Sequence, residues 1–138
     1  MARLRYVAYI ARDADGLPGF YADHLGLTEF GKSAAGDVSL TDGLFNLTFS
    51  QLRDDLGEPR QEPGLHHLGL AVDRIALIRE RFVEKMPHQQ PTEEPGGMHY
   101  GEFRLYDPDL TSVSLSGRGF GITGKDRRVP GLTHVALN

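Results

Sequence analysis

Residues 64–73, GLHHLGLAVD, repeat the pattern that opens the chain at residues 4–12, LRYVAYIAR. Both stretches are rich in aliphatic and aromatic residues, which favour β-strands. Aligned without gaps, they place His67 on Tyr6, an offset of 61 residues (67 minus 6). A repeat at this spacing predicts two similar supersecondary units that follow one another along the chain.

A helix and three short strands are predicted after the first of these openings. Apolar residues recur at helical spacing beyond Asp15, and Gly26 is placed to end the helix. Asp42-Gly43 is a strong signal for a hairpin between the last two strands of the unit. The predicted strands are residues 28–32, 37–41 and 45–52.

The second unit has the same predicted order. Its helix starts near Ile75 and must end before Pro87. A strand within residues 88–95 is weakly indicated because this stretch contains two prolines. Strands are predicted at residues 102–106 and 112–116, and the last one places Ser114 on Thr48, an offset of 66 (114 minus 48).

These patterns predict an organisation in modules. We expect one βαβββ module at residues 1–56, a linker at 57–63, a second βαβββ module at 64–122 and a tail at 123–138. Chance similarity between strands in a β-rich chain is the alternative explanation of the repeat.

Composition limits the possible functions. The 138 residues fit one compact domain, with 39% hydrophobic and 25% charged residues. The net charge of −4 without a basic cluster argues against nucleic acid as a partner. The absence of cysteine excludes disulfides and thiolate chemistry. No apolar run approaches the roughly 20 residues of a membrane span, so we expect no membrane partner and a cytoplasmic location.

Three motifs stand in a characteristic order. They are Phe20-Tyr21 followed by Leu25-Gly26-Leu27, then Leu65-His66-His67-Leu68, then Tyr106-Asp107-Pro108-Asp109 ahead of Val113-Ser114-Leu115. Together with the duplication, they resemble the vicinal oxygen chelate superfamily of glyoxalases, bleomycin resistance proteins and extradiol dioxygenases. The resemblance implies an α+β fold in which two βαβββ modules pair into a cupped eight-stranded mixed sheet with the helices outside.

The resemblance also implies four positions for metal ligands, one on the first and one on the last strand of each module. Here they are Tyr6, Thr48, His67 and Ser114. Metal-binding members of the family carry His on the first strands and Glu on the last, so only His67 fits. Hydroxyls and a neutral phenol are poor ligands for a divalent cation. We therefore expect no metal and no cofactor in this chain.

The same positions are candidates for a ligand cavity. We predict that Tyr6, Thr48, His67, His99, Tyr100 and Ser114 line it. His67 is interpreted either as a hydrogen-bonded packing residue or as a polar anchor for a ligand. The glycine-flanked His99-Tyr100 pair is either a lip over the cavity or an ordinary loop. His66 is expected to point to the opposite face, because side chains alternate along a strand.

The tail carries a third copy of the opening pattern. LTHVALN at residues 132–138 places His134 in register with Tyr6 and His67. The segment resembles the first strand of a third module, as in type I extradiol dioxygenases, whose N-terminal pair of modules is metal-free. In a longer chain of that kind His134 would be a ligand of Fe(II). A strand that caps the edge of this domain is the alternative.

Three functions follow from the resemblance. The first is the metal-free N-terminal half of an extradiol ring-cleaving dioxygenase-like protein, not catalytic by itself. The second is a metal-free protein of the bleomycin-resistance type that binds a drug or metabolite, with a small aromatic molecule or metabolite as ligand. A glyoxalase-type metal lyase is the third, disfavoured by the missing glutamates. A homodimer or larger assembly is expected.

Overall fold

A computed structural model describes residues 2–53, 62–94 and 101–121 of the chain. Within these ranges the elements follow the predicted order βαβββ twice. The first module contains β1 (Ala2–Ala11), α1 (Gly16–Leu25), β2 (Thr28–Lys32), β3 (Val38–Thr41) and β4 (Asn46–Gln51). The second contains β5 (Gly64–Val72), α2 (Ile75–Lys85), β6 (Thr92–Glu93), β7 (Phe103–Tyr106) and β8 (Ser112–Ser116), followed by a 3-10 turn at Gly119–Gly121.

All eight strands form one mixed sheet in the order β2-β3-β4-β1-β5-β8-β7-β6. Within each module the first strand runs parallel to the last, as β1 does with β4 and β5 with β8. The two modules join through β1 and β5, which pair antiparallel. The predicted fold class, an α+β fold of two paired βαβββ modules, is therefore confirmed.

The strand registers reproduce the offsets of the sequence repeat. At the junction Val7 pairs with Leu68, and these positions differ by the predicted 61 residues. Tyr6 lies beside Asn46 in the first module, just as His67 lies beside Ser112 in the second. The repeat is thus a symmetry of the sheet rather than a coincidence. The module boundaries stay predictions, since most of the linker lies outside the described residues.

Apolar side chains lie on one face of the sheet, under the helices. In the first module Val38, Leu40 and Phe49 are buried against residues of α1. In the second, Phe103 and Leu115 are buried with residues of α2 packed on them. Because side chains alternate along a strand, the residues between them face the other way. We call that opposite side of the sheet the inner face.

Helix ends and turns agree with the sequence signals. Gly26 caps α1 with φ 71°, a left-handed conformation that glycine adopts readily. In the β3–β4 hairpin the Asp42 carboxylate accepts hydrogen bonds from the backbone N–H groups of Leu44 and Phe45, both at 2.8 Å. Helix α2 ends at Lys85, before Pro87. Among the described residues, no helix has the length and apolar character needed to cross a bilayer.

Candidate functional site on the inner face

Four predicted site residues lie buried on the inner face. Tyr6, Thr48, His67 and Ser114 are 1%, 0%, 8% and 2% exposed. They belong to the four adjacent strands β1, β4, β5 and β8 at the centre of the sheet. The rings of Tyr6 and His67 have their centroids 5.2 Å apart, across the junction of the modules. Whether these residues bind a ligand stays a prediction.

Hydroxyl groups satisfy one another in the first module. Thr48 hydrogen-bonds to the phenol of Tyr6, and its Oγ1 lies 2.5 Å from Oγ of Ser39. Burial raises the pKa of the Tyr6 phenol well above its ordinary value of 10.0, because the charged phenolate would lose its hydration. Tyr6 is therefore neutral at physiological pH and acts as a hydrogen-bonding and stacking residue.

Charged residues take the corresponding place in the second module. Ser114 Oγ donates a 3.1 Å hydrogen bond to Oε1 of Glu94, and the same carboxylate forms an ion pair with Arg104. These side chains are 17% and 26% exposed respectively. Sequence analysis missed both residues. The only available signal was the repeat itself, which places Arg104 on Ser39 by an offset of 65 (104 minus 39).

An aromatic ring from beyond β8 covers the centre of the inner face. Phe120 is fully buried, and its ring stacks on Tyr6 with centroids 5.4 Å apart and planes inclined by 7°. Asn46 Nδ2 donates to the Phe120 carbonyl at 3.0 Å. Gly69 leaves the space for this stack, since a Cβ there would lie 2.6 Å from Cβ of Tyr6 and 2.9 Å from Cζ of Phe120. Phe120 was also missed by sequence analysis.

The expectation that His66 points to the opposite face is wrong, because β5 bulges at this residue. Ala8 pairs with His67 and Tyr9 with Leu65, so His66 has no partner position on β1. A bulge of this kind turns a side chain out of the regular alternation. As a result the two imidazoles meet, with Nδ1 of His66 2.9 Å from Nδ1 of His67.

A matching bulge lies in β1. Leu4 pairs with Leu70 and Tyr6 with Gly69, which leaves Arg5 without a partner position on β5. Arg5 corresponds to His66 by the offset of 61. The bulges therefore belong to the internal symmetry, and both turn a basic side chain. In the first module the Arg5 guanidinium donates to the carbonyl of Leu44 at 3.1 Å.

The contact between the two imidazoles leads to a pH dependence. Burial and the nearby Arg104 lower the pKa of His66 below its ordinary value of 6.5. The unfolded chain therefore binds more protons at this residue below pH 6.5, so the free energy of unfolding should fall as the pH decreases from 6.5. We expect His66→Gln to weaken this dependence, as measured by urea unfolding at several pH values. An unchanged dependence would contradict the contact.

The four positions that the resemblance assigns to metal ligands do not fit a divalent cation. They offer one imidazole, one neutral phenol and two hydroxyls. Hard and borderline cations need carboxylates or several imidazoles to offset their loss of hydration. Glu94 is the nearby carboxylate, but its charge is balanced by Arg104. In the described ranges no group of three or more His, Cys, Asp or Glu is arranged to hold a metal ion.

Several polar atoms around the site lack a partner. Buried atoms with no hydrogen bond to any described residue are Asn46 Oδ1, Ser112 Oγ, Glu94 Oε2 and Arg104 Nε. Asn46 and Ser112 occupy equivalent places in the two modules, beside Tyr6 and His67. Such atoms are costly unless something satisfies them.

Three residues named from the sequence cannot be placed. His99 and Tyr100, predicted to line the cavity, and His134, predicted as a ligand in a longer chain, lie outside the described residues.

The paired modules and the central inner face define a vicinal oxygen chelate fold. No family model and no curated protein matches the sequence, but solved structures match it over most of its length. The 2,3-dioxygenase LapB from Pseudomonas sp. KL28 is 17% identical with a TM-score of 0.63, over 83% of this chain and 40% of LapB. The chain thus spans well under half of LapB.

Shorter proteins match equally well. Streptomyces coelicolor methylmalonyl-CoA epimerase, solved with 2-nitronate-propionyl-CoA, is 17% identical with a TM-score of 0.62, over 86% of this chain and 97% of the epimerase. A glyoxalase/bleomycin resistance protein/dioxygenase superfamily member from Vibrio splendidus 12B01 is 16% identical with a TM-score of 0.56, over 83% of this chain and 97% of its own. At these identities the similarity establishes the fold alone.

Proposed function

We propose that this chain is a metal-free, two-module domain without catalytic chemistry of its own, equivalent to the N-terminal half of an extradiol ring-cleaving dioxygenase-like protein. The observation that carries the proposal is the donor set on the inner face. No carboxylate stands at the four positions, and the side chains there bind one another. Thr48 bonds to Tyr6 and Ser39, and Ser114 bonds to Glu94.

The filled centre of the sheet supports the same proposal. Phe120 stacks over Tyr6 between the two halves of the inner face. A substrate bound to a metal at this place would need the volume that the ring occupies. The match to a 2,3-dioxygenase over 40% of its length is compatible with a domain that forms part of such a protein.

Metal retention tests the proposal. The untagged protein is incubated with Fe(II), Mn(II) and Zn(II), desalted, and analysed by elemental mass spectrometry. We expect retention far below one ion per chain, and the same result for His67→Ala, because an isolated imidazole among hydroxyls holds a cation weakly. Near-stoichiometric retention that is lost in His67→Ala would overturn the proposal and indicate an enzyme with ligands outside the described residues.

A second candidate is a metal-free protein that binds a small molecule on the inner face. The observation that favours it is the group of buried polar atoms without a described partner, of which Asn46 Oδ1 and Ser112 Oγ flank the centre of the sheet. Native mass spectrometry of the same desalted protein distinguishes the two. A retained organic molecule would favour the binding protein, whereas a mass equal to that of the chain alone would favour the non-catalytic domain.

A further inference from the structure

We propose that the inner face contains a binding subsite for an uncharged aromatic ring between Tyr6 and Gly69, and that Phe120 is its built-in occupant, which an aromatic ligand displaces. The inference goes beyond the assignment as a metal-free domain and does not depend on it.

The walls of the subsite have the shape and chemistry of a ring pocket. Tyr6 provides a parallel aromatic surface, and Ala8 belongs to the same buried apolar cluster. On the other side Gly69 presents only backbone, and a Cβ there would lie 2.9 Å from the Phe120 ring. The equivalent residue in the first module is Ala8, so the symmetry of the sheet is broken where the ring needs space.

The conformation of Phe120 indicates an occupant held in place rather than a relaxed chain end. Its backbone has φ 60° and ψ 33°, a left-handed conformation that a side chain other than glycine rarely adopts. Strained residues of this kind concentrate at ligand-binding and switching sites. Phe120 also follows Gly119, which has φ 74°. A glycine there allows the backbone to rotate at low cost when the ring leaves.

Few polar contacts hold the segment down. Asn46 Nδ2 donates to the Phe120 carbonyl at 3.0 Å, and the backbone N–H of Gly117 donates to Glu102 at 2.8 Å. The other amide of Asn46 that could bond, Oδ1, is buried without a described partner. When Phe120 leaves, Asn46 can offer both a donor and an acceptor to the substituent of an incoming ring. The preferred ligand is therefore a flat aromatic ring with one hydrogen-bonding substituent.

Benzene is a suitable probe, because it matches the ring of Phe120 and carries no substituent. We expect Phe120→Ala to bind benzene more tightly than the natural protein does, as measured by titrating the rise in melting temperature. If the ring vacates the subsite one-tenth of the time, the gain is about 10-fold. A well-folded Phe120→Ala protein that gains no affinity over the natural protein would overturn the subsite.

Displacement needs a separate readout, since any cavity left by a buried phenylalanine can take up benzene. The chain has no Trp, so Phe120→Trp carries a single fluorophore at the proposed occupant. Phe49→Trp is the matched control, because Phe49 is 1% exposed in the core under α1. Benzene should shift the emission of Trp at position 120 to the red and expose it to acrylamide, and leave position 49 unchanged.

Unchanged emission at position 120, at benzene concentrations that stabilise Phe120→Ala, would overturn displacement. If the Trp variant does not fold, hydrogen exchange of the natural protein supplies the same test. Benzene should then accelerate exchange at the amides of residues 119–121, and slower or equal exchange would contradict the proposal. The metal assay has no bearing on these results, so either proposal can fail alone.

Discussion

Phe120→Ala is expected to lower the free energy of unfolding by about 3–5 kcal/mol, the usual cost of removing a fully buried phenyl ring. The ring is 0% exposed and loses its stack on Tyr6. For a chain of this size the melting temperature should fall by about 10 °C or more. Urea unfolding followed by circular dichroism measures the effect. A loss of less than about 1 kcal/mol would mean that the ring is not packed in solution.

The backbone of Phe120 provides an internal control for this prediction. At most positions glycine destabilises a protein relative to alanine, because glycine has more freedom in the unfolded chain. At φ 60° the order should reverse, because glycine adopts this conformation without strain. We therefore expect Phe120→Gly to be at least as stable as Phe120→Ala. A clearly less stable glycine variant would show that the left-handed conformation is not populated.

The architecture was predictable because its determinants are local and repeated. Each opening strand, each helix and the Asp42 hairpin has its own short-range signal, and the duplication supplied the pairing of the modules. Offsets of 61 and 66 residues, read from the letters, reappear as the registers of β1 with β5 and of each first strand with its last. The four central positions of the inner face follow from the same alignment.

Features that depend on cross-strand or distant contacts were not predictable. The bulge that turns His66 towards His67 exists only in the register between β5 and β1. Phe120 and Tyr6 are 114 residues apart (120 minus 6), and no local pattern links them. Glu94 reaches Ser114 from the end of a two-residue strand next to a proline, where strand signals are weakest.

The two halves of the inner face differ in a way that the backbone symmetry does not require. The equivalent pairs are Ser39 with Thr48 and Arg104 with Ser114. In the first module two hydroxyls bond to each other. In the second, the guanidinium brings a carboxylate next to the serine. Charge on the inner face is thus concentrated in the second module, and its stability there depends on the ion pair.

Arg104→Leu should therefore lower the free energy of unfolding by about 2 kcal/mol. Losing one partner of a fully buried ion pair costs about 3–5 kcal/mol because the other charge stays desolvated, and the 26% and 17% exposure of Arg104 and Glu94 reduces this cost. The double variant with Glu94→Gln should recover part of the loss, which a double-mutant cycle measures. The neighbouring pair of Arg79 and Glu93 is the matched control, since its side chains are 49% and 67% exposed. Arg79→Leu should cost less than about 1 kcal/mol. Equal losses for the two arginine variants would show that the Glu94 carboxylate remains hydrated, and that the second half of the inner face is open to water.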